Sequence, residues 1–397
     1  MATRVKRELL KLTAISLSLA LVGLVGLNVV IPPYIASLGG TIFLVGAIYS
    51  SISVARALSK VVSGFIRDRL GDKVVFLLSR VLYTIAFITL FSATSIEGVA
   101  LGLLFVALAM GFELPAFMSA AATVVAETTF TATFFGVILT IRSAPIVVSP
   151  IITGFIADNY GVRAVFLIGV FLSLISLALL YKMNISRIGT IERKPVERGV
   201  VLRRDFLILV TSTYFLFTSL SALIPIFSHW VVKRLKYSYT ILGFMLLARN
   251  ITASLSRIYS GTLADRFGHL NLLILVGVTR ITALLALSLF KDPLLLAIAI
   301  SFHEILVAAP PRSAYISKVF SKENYGKAFG TIGLAQELGR MTGPLLGGYI
   351  AEKYSHELAF ISLALILVFY SVLIVSLKIL TKQHARNREH TNIYKLN

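Results

Sequence analysis

The sequence contains no cysteine and few charged residues, and both shortages restrict what the protein can be. Without cysteine there are no disulfides, thiolate metal sites or cysteine nucleophiles. Charged residues make up 14% of the chain, whereas a soluble domain carries roughly 25%. Hydrophobic residues reach 57% and the mean hydropathy is +0.88, which leaves too little polar surface to face water. The composition therefore predicts an integral membrane protein.

Several catalytic and nucleotide-binding signatures are also missing. The chain has no Walker phosphate loop, no HExxH zinc motif and no serine nucleophile motif, so ATP-driven chemistry by this chain alone is not expected. An enzyme within the membrane would need a nucleophile, a base and oxyanion donors that converge on one point. No such set is visible in the sequence. We expect a protein that is not an enzyme and that carries no cofactor and no metal.

Acidic residues are scarce relative to basic ones, and the formal net charge is +20. Such a charge is compatible with nucleic-acid binding, but the lysines and arginines lie mostly between apolar runs. They concentrate in the N-terminus, the C-terminal tail and alternate loops, which is the distribution of cytoplasmic segments in a multi-pass membrane protein. The expected partner is the lipid bilayer and not nucleic acid. Both termini are predicted to be cytoplasmic, in the cell (inner or plasma) membrane.

Twelve apolar runs, each long enough for one transmembrane helix of roughly 20 residues, predict an all-α fold. The first six fall at about 9–31, 41–62, 74–93, 98–122, 134–156 and 164–181. The second six fall at about 206–232, 238–259, 270–290, 293–316, 329–351 and 357–378. The longest polar connection is strongly basic and divides the two sets. We predict an N-terminal six-helix bundle over 1–181, a cytoplasmic linker over 182–205, and a C-terminal six-helix bundle with a short basic tail over 206–397.

One pattern recurs at four helix ends. The four copies are GFIRDRLG at 64–71, GFIADNYG at 154–161, GTLADRFG at 261–268 and GYIAEKYS at 348–355. Each copy follows the second helix of a predicted three-helix unit, so the chain is predicted to contain four such units. Alternate units are then inverted in the membrane, as in membrane proteins built from nested repeats.

A second repeat links the predicted helices 5 and 11. Helix 11 contains Gly330, Gly339, Gly343, Pro344, Gly347 and Gly348, and the positions 194 residues earlier hold Gly136, Pro145, Ser149, Pro150, Thr153 and Gly154. Small residues at four-residue spacing let helix backbones approach closely, and proline adds a bend that neighbouring helices must accommodate. We expect both faces to be helix-packing surfaces along which the two bundles slide.

These motifs make the chain similar to the major facilitator superfamily along its whole length. The family's signature loop between helices 2 and 3 is matched by Gly64, Asp68, Arg69, Gly71 and Lys73, and the loop between helices 8 and 9 repeats it with Gly261, Asp265, Arg266 and Gly268. Asp72 stands at a usually basic position. The Gly-Pro motif resembles that of antiporters such as the twelve-helix drug–proton exporters, although its intact copy lies in helix 11 instead of helix 5. The resemblance implies two pseudo-symmetric six-helix bundles with nested inverted three-helix repeats.

By the same resemblance, the signature loops act as conformational latches. Asp68 would face the positive N-terminal end of helix 11 when the cytoplasmic side is closed. Arg69 and Lys73 would bind neighbouring carboxylates or lipid phosphates, and Asp265 and Arg266 would serve the other half. Arg69 also fits a plain excess of basic residues on cytoplasmic loops.

Ionisable residues inside the predicted spans are costly in hydrocarbon and mark pathways or partners. The candidates for proton coupling or substrate binding are Glu113, Arg142, Arg249, His303 and Glu304. Glu113 and Glu304 lie on helices 4 and 10, which line the central cavity in the resembled family, and either carboxylate could carry a proton or form a structural ion pair, as Glu113 could with Arg142. His303 could relay a proton or be a satisfied residue between helices. Four basic residues nearer the cytoplasmic ends are expected to extend towards the interface: Lys60, Arg80, Arg257 and Arg312.

Three further charged residues are candidates for a gate between the halves. Glu337 and Arg340 on helix 11 are three residues apart and share a helical face. In the resembled family helix 2 packs on helix 11, so Arg56 on helix 2 could also reach Glu337. Such a pair could break and re-form as the halves move.

Three hypotheses for the activity remain, one of which is a non-transporting sensor or partner protein on a facilitator scaffold. The other two are both secondary transport of a small organic molecule by alternating access, with 1–190 rocking against 200–397. The first is proton-coupled efflux of amphipathic, drug-like compounds, supported by the buried carboxylates and the Gly-Pro motif. The second is import or exchange of an organic anion, supported by the intramembrane arginines Arg142, Arg249 and Arg280. The resemblance implies a monomer.

Overall fold

The computed structural model describes residues 2–126, 131–183, 204–320 and 324–393, with the side chains of residues 12–113, 115–118, 141–183, 204–320, 324 and 327–383. Most of the predicted linker, residues 184–203, lies outside the described residues. Within the described ranges every regular element is helical and there is no β-strand. The all-α prediction is therefore confirmed for this part of the chain.

The described residues form fourteen α-helices and one π-helical turn. In the first half of the chain they are α1 (Ala2–Val22), α2 (Leu27–Ser37), α3 (Ile42–Leu70), α4 (Asp72–Ser92), α5 (Ile96–Ala126), α6 (Thr131–Tyr160) and α7 (Val162–Lys182). In the second half they are α8 (Arg204–His229), the π-helical turn Trp230–Arg234, α9 (Tyr239–Phe267), α10 (His269–Leu289), α11 (Pro293–Phe302), α12 (Ala309–Val319), α13 (Tyr325–Lys353) and α14 (His356–Ile393).

The chain separates into two compact units. Met1–Glu192 and Phe227–Leu247 form the first unit, and Arg193–Ile226 and Ala248–Asn397 form the second. In the first unit α5 packs against α3 and α4, α4 packs against α7, and α1 packs against α6 and α7. In the second unit α10 packs against α11, α12 and α14, and α13 packs against α14.

Large apolar side chains cover the outside of the helices as well as their interior. Phe65, Phe171 and Ile258 are each more than half exposed, whereas Phe76 and Phe117 are fully buried in the core of the first unit. Exposed apolar faces of this extent are unfavourable in water and favourable against lipid. The helices therefore present the surface that a membrane-embedded protein requires.

Ten of the described helical segments are long and apolar enough to span a membrane. They include Leu12–Ser37, which joins much of α1 to α2, and they leave out α11, α12 and α13. The helices α11 and α12 have only 10 and 11 residues, and α13 is rich in glycine and carries Glu337 and Arg340 at mid-helix. The protein is a multi-pass membrane protein with ten candidate spans in the described part of the chain, compared with twelve predicted runs.

The predicted helix over 293–316 is interrupted between α11 and α12, so the prediction of one continuous helix is wrong there. His303 and Glu304 lie in the break. Pro310 and Pro311 explain it, because neither has an N–H to donate to the preceding turn, whereas both are tolerated in the first turn of a new helix. Glu304 is therefore carried by irregular backbone and not by the middle of a helix.

Side chains of α9 form hydrogen bonds with the backbone of this break. Ser256 Oγ donates to the carbonyl oxygen of Glu304 at 2.5 Å, and Tyr259 donates to the next carbonyl oxygen. Ser260 Oγ accepts the N–H of Val307 at 3.2 Å. Irregular backbone is tolerated at membrane depth only where other groups satisfy its polar atoms, and the hydroxyl groups of α9 do so here.

Replacing Ser256 with alanine is expected to lower the free energy of unfolding by about 1–3 kcal/mol, because the buried carbonyl of Glu304 loses its donor. The matched control is Ser254→Ala, since the Ser254 hydroxyl donates to the Asn250 carbonyl of its own helix at 2.8 Å. The control is expected to change stability by no more than about 0.5 kcal/mol. Thermal unfolding of the purified variants in detergent measures both, and equal losses would contradict the role of Ser256.

The last glycine of three repeat copies adopts a left-handed backbone conformation. The φ angles of Gly71, Gly161 and Gly268 are 86°, 81° and 89°. A side chain would be strained at such an angle, so these positions end one helix and redirect the chain into the next within a single residue.

Candidate functional site

A buried glutamate lies between two arginines in the first unit. Glu113 on α5 is 5% exposed and accepts hydrogen bonds from Arg80 on α4 and Arg142 on α6. The guanidinium of Arg80 lies over the Tyr83 ring at 4.7 Å, and that of Arg142 lies over the Phe117 ring at 4.6 Å. The structure thus pairs Glu113 with Arg142, one of the two possibilities left open by the sequence, and adds Arg80.

Small residues bring α3 close to the segment of α5 that carries Glu113. A Cβ atom on Gly111 would overlap Ser59 Oγ of α3. Ser63 Oγ donates to the carbonyl oxygen of Phe112 at 2.9 Å. These contacts hold α5 against α3 in the two residues that precede Glu113.

A second buried glutamate lies between two arginines in the second unit. Glu304 Oε1 accepts from Arg249 Nη2 of α9 at 2.7 Å, and Oε2 accepts from Arg280 Nη2 of α10 at 3.2 Å. His303 Nδ1 is 3.2 Å from Glu304 Oε1. Glu304, His303 and Arg280 are all at most 5% exposed. The break between α11 and α12 therefore holds one carboxylate against two guanidiniums and an imidazole.

The two clusters share one composition, a carboxylate between guanidiniums from two neighbouring helices. When all three groups are ionised, each cluster carries one positive charge in excess. In the second unit some guanidinium nitrogens have no hydrogen-bond partner, namely Arg249 Nε, Arg280 Nε and Nη1, and Arg312 Nη1. Buried donors without an acceptor are unfavourable by about 1–3 kcal/mol each.

The expectation that Arg80 and Arg312 extend towards the membrane surface is wrong. Arg80 is fully buried and Arg312 is 7% exposed. The spacing of Arg80 from Phe76, Tyr83 and Phe87 places all four on one helical face, and the three aromatic residues are buried as well. That aromatic stripe was the sequence signal that could have identified Arg80 as a partner of a buried acid.

The predicted gate residues lie in separate units. In the second unit Arg340 Nη1 donates to Glu337 Oε1 at 2.7 Å, and the Arg340 guanidinium lies 4.6 Å from the Phe217 ring centroid. Arg56 lies on α3 of the first unit, where its Nη2 is 3.4 Å from Ser53 Oγ. The structure brings Glu337 and Arg340 together, and a pair between Arg56 and Glu337 stays a prediction.

The charged motif residues lie at helix ends. Four of them are exposed, namely Asp68, Arg69, Asp265 and Arg266. Lys73 Nζ donates to the carbonyl oxygen of Tyr181 at 3.1 Å. Asp72, at the usually basic position, accepts from Arg67 Nε at 2.6 Å. A Cβ atom on Gly64 would meet no atom within 4 Å, and one on Gly261 would approach only the Pro310 side chain at 3.9 Å. The latch role of this loop stays a prediction.

Glycines of α13 lie directly against α8 in the second unit. A Cβ atom on Gly339 would come within 2.6 Å of the Tyr214 carbonyl oxygen, and one on Gly343 would overlap the Thr218 carbonyl oxygen. Gly347 contacts the same helix one turn further along. The other members of the motif are Pro344 and Gly348, which are buried, and Gly330, where a Cβ atom would meet no atom within 4 Å.

Charged clusters buried among membrane helices are typical of proteins that move solutes across membranes. The fold and these clusters place the chain in that class. The sequence matches the family model of the Major Facilitator Superfamily over residues 13–307 and 209–393. The chain belongs to the major facilitator superfamily, and it is a transporter and not an enzyme.

Several named relatives are similar to parts of the chain. The multi-drug resistance efflux pump PmrA homolog of Lactococcus lactis is 24% identical over 59% of this chain and 60% of its own length. The multidrug resistance protein MdtG of Serratia proteamaculans is 23% identical over 62% of each chain. An uncharacterised MFS-type transporter of Methanocaldococcus jannaschii is 22% identical over 80% of this chain and 85% of its own. The matches thus span less than two thirds of the two drug-resistance proteins.

Solved structures of the same fold cover almost the whole chain. A mutant of the nucleoside transporter NupG superposes with a TM-score of 0.78 at 15% identity, covering 93% of this chain and 99% of NupG. The human organic anion transporter MFSD10 (TETRAN) gives a TM-score of 0.66 at 15% identity, with 93% and 99% covered. These similarities show that the chain has the major facilitator fold.

Proposed function

We propose that the protein is a secondary active transporter that exports small amphipathic, drug-like molecules in exchange for protons. It works by alternating access as a monomer in the plasma (inner) membrane, with twelve spans and both termini in the cytoplasm. Residues 1–181 and 206–397 are the two moving bundles, and 182–205 is the linker between them. The relatives named as multidrug efflux proteins support export of such compounds.

The observation that carries the proposal is the burial of Glu113 and Glu304 between arginines from neighbouring helices. A helix movement that withdraws one guanidinium leaves the carboxylate with less stabilisation of its negative charge, and it then takes up a proton. The return of the guanidinium expels the proton. Each cluster can therefore couple helix movement to proton binding.

A second candidate function is the import or exchange of an organic anion. It is favoured by the positive charge in excess at each cluster and by the unpartnered guanidinium nitrogens of Arg249 and Arg280. In this case a substrate carboxylate or phosphate would take the free donors, and the glutamates would remain structural partners of the arginines.

Proteoliposomes that contain a trapped pH-sensitive dye distinguish the two functions. A pH gradient is imposed, and lipophilic cations and organic anions are added in turn. Proton-coupled export of amphipathic compounds predicts proton movement that depends on added cations and is lost in Glu113→Gln. A response confined to anions would overturn proton-coupled export and would assign substrate binding to Arg142 and Arg249.

Glu97→Gln is the matched control for Glu113→Gln. It is the same substitution in the same helix, but Glu97 is exposed in the first turn of α5. Proton movement in the control is expected to equal that of the wild type. Both variants are reconstituted from the monodisperse fraction of a size-exclusion column, so the comparison concerns folded protein. Equal loss in both variants would contradict a specific role for Glu113.

A further inference from the structure

The end of α6 holds the start of α9 through one carboxylate in the first unit. Asp158 Oδ1 accepts the backbone N–H of Tyr239 at 3.0 Å, and Oδ2 accepts the N–H of Thr240 at 2.7 Å. Oδ2 also accepts the Thr240 hydroxyl at 2.5 Å. Three hydrogen bonds thus join one side chain of α6 to two consecutive residues of a helix more than eighty positions later in the chain.

These bonds complete the first turn of α9. The first four N–H groups of a helix have no partner inside it. Among the N–H groups of Tyr239, Thr240 and Ile241, Ser238 Oγ accepts that of Ile241 at 3.2 Å. The two remaining N–H groups are those bound by Asp158. No residue of α9 itself replaces this carboxylate, which also carries the charge that a helix N-terminus favours.

The backbones of α6 and α9 touch just inside this cap. A Cβ atom on Gly154, one turn before Asp158, would overlap the Tyr239 carbonyl oxygen. A Cβ atom on Gly243, one turn into α9, would lie 2.5 Å from the Pro150 carbonyl oxygen. Glycine at both positions lets the helices meet without interlocking side chains, so the contact can separate without repacking.

Asp158 occupies the same register in the repeat GFIADNYG as Asp68 and Asp265 do in their copies. It is exposed to solvent, so water can replace its partners when the contact opens and no buried charge is left behind. We propose that Asp158 is a positioning residue for transport that closes the outer end of α6 and α9 by capping α9. This end is the outer one in the topology of the proposed function, and the proposal rests on that function's alternating access.

The absence of cysteine from the chain allows a direct test with one introduced thiol. Leu246, one turn beyond Gly243, is 4% exposed, and Leu246→Cys reports whether this end is open. A membrane-impermeant maleimide is added from outside to intact cells. Asp158→Ala is expected to increase the labelling rate about fivefold, the population change that corresponds to losing a typical helix cap.

Two further variants make the result specific. Asn159→Ala is the matched control, because the Asn159 side chain donates to the Phe155 carbonyl oxygen of its own helix at 2.9 Å, and labelling is expected to stay at the parent rate. Thr240→Val removes only the hydroxyl bond and is expected to increase labelling about twofold. If Asp158→Ala does not fold, the labelling rate of Thr240→Val tests the proposal in its place.

The proposal is overturned if Asp158→Ala and Thr240→Val both label at the rate of Asn159→Ala. It is also overturned if the thiol reacts only with reagent on the cytoplasmic side. Labelling needs no substrate, so faster labelling in both variants supports the cap even where the proteoliposome assay detects no export. Failure of the proposed function and failure of the cap are therefore separate results.

Discussion

Replacing Glu304 with glutamine is expected to lower the free energy of unfolding by about 3–5 kcal/mol. The substitution keeps the shape of the side chain but leaves Arg249 and Arg280 without a counter-charge in the interior of the second unit, and an uncompensated buried charge is strongly destabilising. Arg280 is 3% exposed, so water does not replace the lost partner. Thermal unfolding of the purified protein in detergent measures the loss.

A double-mutant cycle separates the ion pair from a general packing defect. Arg280→Gln alone leaves Glu304 with Arg249, and Glu304→Gln with Arg280→Gln leaves a single unpaired guanidinium. The double variant is expected to be more stable than the sum of the two single losses predicts, by about 1–3 kcal/mol. Additive losses would show that Glu304 and Arg280 do not interact. A loss below about 1 kcal/mol in Glu304→Gln alone would show that the carboxyl group is already neutral in the resting protein.

Replacing Gly343 with alanine is expected to destabilise the second unit by about 1–3 kcal/mol, since the added methyl group forces α13 away from α8. The new Cβ atom would overlap both the Thr218 carbonyl oxygen and Ser221 Oγ of α8. Backbone cannot move as a flexible side chain does. The thermal unfolding temperature of the purified variant measures the effect.

Gly330→Ala is the matched control in the same helix. A Cβ atom there would meet no atom within 4 Å, and alanine is more favourable than glycine in a helix by up to about 1 kcal/mol. The control is therefore expected to be neutral or slightly stabilised. A similar loss at Gly330 and Gly343 would contradict a packing role limited to the contact with α8.

Much of the fold could be predicted from the sequence because long apolar runs identify membrane helices. The break at His303 and Glu304 was missed because hydropathy averages over a window and does not register the two prolines that follow. Pro310 and Pro311 carried that information. The ten candidate spans fall short of the twelve runs for a related reason, since α13 has glycines and a buried ion pair where a simple span has leucines.

The site was harder to predict, because pairing depends on which faces of neighbouring helices meet. The ion pair between Glu113 and Arg142 could be proposed from the depth of both residues in the membrane. Depth alone could not decide whether Glu113 forms a structural ion pair or carries a proton. Arg80 was assigned to the interface from its position near a helix end, although its aromatic stripe indicated a buried face. Arg249 could be placed inside the membrane but not beside Glu304, since no spacing rule connects distant helices.

The order of the charged residues along the chain has a consequence for how the protein enters the membrane. Arg80 precedes Glu113 by 33 positions, and Arg249 and Arg280 precede Glu304 by 55 and 24. During synthesis these arginines therefore reach the bilayer before the carboxylate that will neutralise them. An arginine at the centre of a span opposes insertion by roughly 2.5–3.5 kcal/mol, and the apolar residues of α4 and α10 offset this cost. The apolar character of these two helices thus serves biogenesis, since it keeps them in the membrane until the acid arrives.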